Sequence, residues 1–154
     1  MKANRLRLGM NLWPPFLFAG IRVVEISPDY RYARVKMRLR PWNRNFFGTH
    51  FGGSLFAMTD PFWVLLLFHQ LGGEHVVWDQ AGEIEFVAPG RGTVYAEFRL
   101  TDDHVEQVLD QTASGEKALV WFETDVVGQD GTVIAKVKKQ VYARRKRGKQ
   151  LARA

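Results

Sequence analysis

The sequence has no cysteine, and that absence excludes two kinds of explanation at once. No disulfide framework can hold the fold, and no thiolate can act as nucleophile or metal ligand. Also missing is an unbroken apolar run of the roughly 20 residues that a bilayer crossing needs. The most hydrophobic stretch is interrupted by Asp60, Pro61, His69 and Gln70, so no membrane span is expected and the chain reads as soluble. The opening MKANRLRLGMNLWPPF carries basic residues but lacks the apolar core and small-residue cleavage site of a secretion signal, which makes the cytoplasm the expected compartment. The four histidines, at positions 50, 69, 75 and 104, form no HxxxH pair, so no metal site is expected. Acidic residues are absent from Gly131 onward. That segment holds nine Lys/Arg, leaving 13 of the 22 basic residues against all 16 acidic ones in the rest, so the net charge of +6 belongs to the end of the chain.

What is present is a chain of 154 residues, long enough for one domain with a substantial core. Its most hydrophobic part is GGSLFAMTDPFWVLLLFHQLGG, residues 52–73. About 18 residues between two glycine pairs predict one buried helix, a rod of roughly 27 Å that ends at the second pair. Asp60 stands in its middle. A carboxylate among Leu55, Phe56, Met58, Phe62, Trp63 and Leu66 is costly to desolvate, so it either caps something or does chemistry. The following Pro61 suits a helix N-cap at Asp60 with proline at the first helical position.

Around this helix the periodicity is two. Ile21 and Val23, then Val35, Met37 and Leu39, alternate with Arg34, Lys36, Arg38 and Arg40 about a Ser27-Pro28-Asp29 turn, which predicts a hairpin with one face in water. Those four cations form either a solvated strand face or a place for an anion. Residues 76–87 and 93–100 predict two further strands, and residues 117–127 and 132–143 another hairpin about Gln129-Asp130-Gly131. Between the pairs, DHVEQVLDQTA has helical spacing, with Asp102 or Asp103 as cap and Gly115 as stop. Near the start, Pro14-Pro15 forbids a regular helix before it, and a short helix or turn from Pro15 is expected. The sum is an α+β domain over residues 1–143, an antiparallel sheet of about six strands wrapped around one long central helix. Residues 144–154 read as a basic, disordered tail.

The run from Asn45 through Gly48, His50, Phe51, Gly52 and Gly53 to Asp60 resembles the hot-dog-fold acyl-CoA thioesterases of the phenylacetic-acid-pathway type. That family's pattern has Asn, Gly, His-Gly-Gly and an Asp seven residues after the second Gly. Glu85-Phe86 leading to Ala88-Pro89-Gly90, and Asp130-Gly131 before Val133-Ile134-Ala135, are similar too. The resemblance implies an acyl-CoA or other acyl thioester as substrate, no cofactor, and a homodimer or dimer of dimers in which acid and glycine loop come from different subunits. It implies catalytic roles for Asp60, Asn45 and Gly53. The Gly53 amide would stabilise the oxyanion, Asp60 would deprotonate water or attack directly, and Asn45 would hold water or carbonyl. Gly52, His50 and Phe51 would border the substrate. The family's His is Phe51 here, and His50 stands one place earlier.

Other readings of these residues stay open. Asn45 also suits a loop residue that caps its own backbone. A non-catalytic acyl- or lipid-binding protein would keep the tunnel without hydrolysis, and Phe51 favours it. A hydratase would need a His and an acid facing one carbon, for which His50 and Asp60 are the local pair. Specific nucleic-acid binding is not expected, because no aromatic follows Tyr142 for bases to stack on. The tail, or Arg34 to Arg40, could still draw in the phosphates of a CoA-linked substrate.

Overall fold

The computed structural model describes residues 2–146. Two helices open the chain, α1 (Ala3–Leu12) and α2 (Pro14–Ala19). The first was not expected, and the reason is local. Trp13 takes the extended conformation, φ −65° and ψ 125°, that a following proline favours, so the Pro-Pro pair ends α1 at Leu12 instead of preventing it. Asn11 then clamps α1 to the sheet, its amide accepting from Val23 N at 2.7 Å and donating to Val23 O at 3.1 Å.

The strands are β1 (Ile21–Ile26), β2 (Tyr32–Arg38), β3 (His75–Phe86), β4 (Thr93–Arg99), β5 (Lys117–Gly128) and β6 (Val133–Arg145). They form one antiparallel sheet in the order β1-β2-β4-β5-β6-β3, which leaves β3 at an edge. The alternation read from the sequence is the alternation of burial: Val35, Met37, Val94, Ala96 and Phe98 face inward and are fully enclosed. Strand β6 runs further than expected. Arg144 and Arg145, assigned to the tail, pair with Val76 and His75 of β3, and the remaining tail from 147 lies outside the described residues.

The central segment is helical but not one rod. It consists of α3 (Gly52–Ala57) and α4 (Phe62–Leu71), separated by a turn over residues 58–61. Pro61 has no N–H to donate back to Ala57 and disfavours helical geometry at Asp60. The chain tightens instead, with Thr59 N bonding Phe56 O at 3.0 Å and Asp60 N bonding Ala57 O at 3.2 Å. Helix α4 supplies the centre of the core, where Phe62 stacks on Phe98 at 4.7 Å and Trp63 on Phe122 at 4.8 Å. The Trp63 indole N–H finds Thr124 Oγ1 at 2.9 Å, so this buried donor is satisfied.

Past Ala96 the pairing of β4 with β5 ends, and α5 (Asp102–Thr112) packs on β5 with Val105, Val108 and Thr112 buried. Its cap is Thr101, not Asp102 or Asp103. The Thr101 hydroxyl accepts from His104 N while His104 Nδ1 accepts from Thr101 N. His75, one residue before the expected strand of residues 76–87, is a buried strand residue beside Thr112 Oγ1 at 3.1 Å.

Candidate active site

The break between α3 and α4 decides where Asp60 goes. Its side chain is 60% exposed, so the desolvation cost argued from its apolar sequence neighbours does not arise. Neither does it cap a helix: Pro61 holds the N-cap position of α4, and no side chain bonds there. The carboxylate forms an ion pair with Lys139 of β6, whose side chain is only 5% exposed. The Lys139 ammonium also lies 4.7 Å from the centre of the Phe56 ring and 3.9 Å from Asp79 Oδ2 of β3. One cation thus stands between two carboxylates. Asp79 Oδ1 is buried with no hydrogen-bond partner among the described residues. Burial pushes the Asp79 carboxyl up to about 6; Lys139 opposes this and Asp60 reinforces it.

The loop before α3 is held by its own side chains. Asn45 Oδ1 accepts from the amides of Phe47 and Thr49 at 3.0 and 3.1 Å, and its Nδ2 donates to Thr49 Oγ1 at 2.9 Å and to His50 O at 3.3 Å. Both ends of the amide are therefore occupied in shaping the loop. His50 is buried, with its amide on Gly90 O at 3.0 Å and its Nε2 donating to Gly92 O at 3.0 Å. Burial holds its pKa below the ordinary value, partly offset by the Gly92 carbonyl, so the neutral ring pins the loop of residues 88–92 against this one. The amides of Gly52 and Gly53 donate to no protein acceptor among the described residues. A Cβ on Gly52 would sit 2.7 Å from the Phe86 ring, and one on Gly53 2.5 Å from the Phe51 ring, so both positions have space only for glycine as the rings stand.

These residues line two clefts, not one. Asn45, His50 and Gly52 border a cavity of about 560 Å³ with Leu55, Phe86 and Pro89. Asp60 borders another of about 420 Å³ with Val64, Leu65, Phe68 and Asp79. Helix geometry explains the separation. Gly53 and Asp60 are about seven residues apart, roughly 10 Å of helical rise, whereas a reacting carbonyl must lie within about 3.5 Å of both. Within one chain the two halves do not converge. Both lie along the edge strand β3, Gly52 against Phe86 near its end and Asp60 with Asp79 near its start.

A family model described as a domain of unknown function, DUF4442, matches residues 3–143. The chain belongs to the DUF4442 family. Among curated proteins none matches the sequence. Among solved structures, the chain is similar to a Pseudomonas aeruginosa protein of unknown function described as a probable thioesterase, with a TM-score of 0.80 and 20% identity over 93% of this chain and 95% of that one. It is also similar to a Haemophilus influenzae thioesterase, with a TM-score of 0.67 and 11% identity over 94% and 92% of the two chains. The Escherichia coli PaaI protein, from the phenylacetic acid degradation operon, matches with a TM-score of 0.56 and 17% identity over 86% and 84%. These likenesses concern the fold, and they make it the hot-dog fold: a six-stranded antiparallel sheet wrapped on a central helical segment. The DUF4442 match ends at Ala143, within β6, so it spans Asp60, Asp79 and Lys139 alike.

Lys139 and Asp79 were missed in the sequence. A signal existed for the first: in Val137-Lys138-Lys139-Gln140-Val141 the alternation that buries Val137 and Val141 also turns Lys139 inward. Among the described residues no group of three His, Asp or Glu side chains is arranged to hold a metal ion, and no helix is long and apolar enough to cross a membrane.

Proposed function

We propose that this chain is a thioester hydrolase acting on acyl-CoA or a similar acyl thioester in the cytoplasm, and that its site is completed by a second copy. The observation that carries the reading is Asp60. It is an accessible carboxylate at a proline-made helix break, held by a buried lysine and bordered by the apolar side chains of Val64, Leu65 and Phe68. The unpaired amides of Gly52 and Gly53 belong to the other half, where Gly52 borders a cavity large enough for an acyl chain. Among the described residues β3 pairs only with β6, which leaves its other edge to pair with β3 of another copy. An antiparallel pairing centred near Gly82 brings the partner's glycine loop toward this chain's Asp60. In the assembled site the thioester oxygen would accept from the glycine amides as charge develops on it. Asp60 would take a proton from the attacking water and pass it to the sulfur as the C–S bond breaks; or it would itself attack the carbonyl, releasing a thiolate that takes its proton from solvent, and water would then cleave the acyl–Asp60 anhydride to free the acid. Lys139 keeps the carboxylate oriented. Asn45 and His50 act one step back, by fixing the loop. The chemistry needs no cofactor.

The test is hydrolysis of short, medium, long and aromatic acyl-CoAs with thiol release as the readout, for the native protein and Asp60→Asn. The expected result is turnover that falls by at least about a hundredfold in the variant with the fold retained. Undiminished turnover in Asp60→Asn would refute the assignment of the acid. One observation favours a second reading, a non-catalytic acyl- or lipid-binding protein: the Phe51 ring lies over Gly53. In that case no thioester is hydrolysed, while fatty-acid binding survives in Asp60→Asn.

A further inference from the structure

The outer face of the sheet carries a feature that thioester cleavage does not use. Arg22 of β1, Lys36 of β2 and Tyr95 of β4 are successive cross-strand partners, and Arg38 lies two residues beyond Lys36, opposite Thr93. With Arg40 and Trp42 from the following loop they line a groove of about 790 Å³. Among the described residues no carboxylate borders it. Like charges set directly opposite on a sheet, as Arg22 and Lys36 are, destabilise it unless something neutralises them. Elsewhere on this surface something does: Arg34 and Arg99 both engage Glu97, and Lys138 engages Glu123. Glu25, the nearest acid on β1, stands opposite Arg34. None of Arg22, Lys36, Arg38 and Arg40 forms an ion pair among the described residues. Arg22 donates to the Asn11 carbonyl at 2.9 Å, and Arg40 lies 5.9 Å from the centre of the Trp42 ring.

We infer that this groove binds the phosphorylated nucleotide end of the substrate, an adenosine carrying several phosphates. Four uncompensated cations on one concave face fit a ligand of several negative charges better than a single anion. Trp42, two-thirds exposed, offers a flat surface on which a base can stack, and the Tyr95 ring, with the Arg34 guanidinium 4.8 Å from its centre, borders the same groove. The groove's position agrees. The loop of residues 88–92 walls both cavities, with Gly92 on the basic groove and Pro89, Gly90 and Arg91 on the cleft that contains Gly52. A ligand with a nucleotide at one end and a thioester at the end of a long flexible arm matches that pair of cavities. The identification of the arm's far end rests on the thioesterase reading; the nucleotide site does not.

The experiment is calorimetric titration of the full chain with CoA, adenosine 3′,5′-bisphosphate, inorganic pyrophosphate and a single-stranded oligonucleotide, repeated for Lys36→Glu/Arg38→Glu and for Asp60→Asn. Native protein and Asp60→Asn are expected to bind CoA and the bisphosphate alike. The double variant, confirmed folded by circular dichroism, is expected to bind both at least about thirtyfold more weakly, and native affinity is expected to drop as salt is raised. Equal binding by the double variant overturns the site. Pyrophosphate binding as tightly as CoA, or an oligonucleotide binding more tightly, overturns its assignment to a nucleotide. Because nothing in this test depends on turnover, an inactive protein that still binds CoA through Lys36 and Arg38 would refute the hydrolase and leave the groove standing.

Discussion

Asp79→Asn tests the electrostatics around Asp60 without touching Asp60 itself. The native Asp79 carboxyl titrates at about 6 in the folded chain, against 3.8 for the ordinary group, because burial disfavours its charge more than Lys139 restores it. Below about pH 4 both the folded and unfolded states hold the proton, and the group contributes nothing. Between about pH 4 and pH 6 the folded state still holds a proton that the unfolded state has released, so stability falls as pH rises; above about pH 6 the cost is fully present. At 1.36 kcal/mol per pH unit of displacement the cost is about 3 kcal/mol. Asparagine keeps the shape and carries no charge to desolvate. Urea unfolding of both proteins from about pH 4 to about pH 8 should give a difference near zero at the acid end that grows to about 3 kcal/mol in favour of the variant. Carboxylates other than Asp60, whose charge acts on Asp79, are common to both proteins and cancel. A difference that does not change with pH would refute the reasoning. A difference that turns against the variant as pH rises would mean that ionised Asp79 is a net favourable partner of Lys139.

Leu66 is fully buried at the centre of α4, so Leu66→Ala should cost about 3 kcal/mol, read as a lower urea midpoint with an unchanged slope. Gly82 faces Phe56 and the Lys139 stem, where a Cβ would come within 2.7 and 3.1 Å of them; Gly82→Val should destabilise the fold by about 2 kcal/mol. The same variant should lower thioester turnover, because moving Lys139 moves the carboxylate it holds. Stability unaffected by Gly82→Val would mean that the Phe56 ring yields freely.

The strands, their turns and the inward residues were legible because each is encoded locally, by two-residue alternation broken at Pro-Asp, Pro-Gly and Asp-Gly sequences. The helix was legible as a region and misread as a rod. Its apolar run continues across residues 58–61, and the one local sign of a break, Pro61, was also consistent with a cap. That misreading carried over to Asp60, whose apolar neighbours in sequence are not its neighbours in space. Its actual partner, Lys139, is remote in the chain and reaches it only because sheet order sets β6 beside β3. The basic groove divides in the same way: Lys36 and Arg38 were visible as one strand face, while Arg22, Tyr95 and Trp42 join them through pairing and a loop.

The resemblance implied an acid and a glycine loop from different subunits, and the fold agrees with it: Gly53 opens α3, Asp60 lies past its end in the turn before α4, and Gly52 and Asp60 border separate clefts. If both groups act on one thioester, they act from two chains. Mixing Asp60→Asn with a variant defective only in the glycine loop should then restore turnover to at most about a quarter of native, through the hybrid site in mixed dimers, and no restoration would mean that acid and amides do not share a substrate.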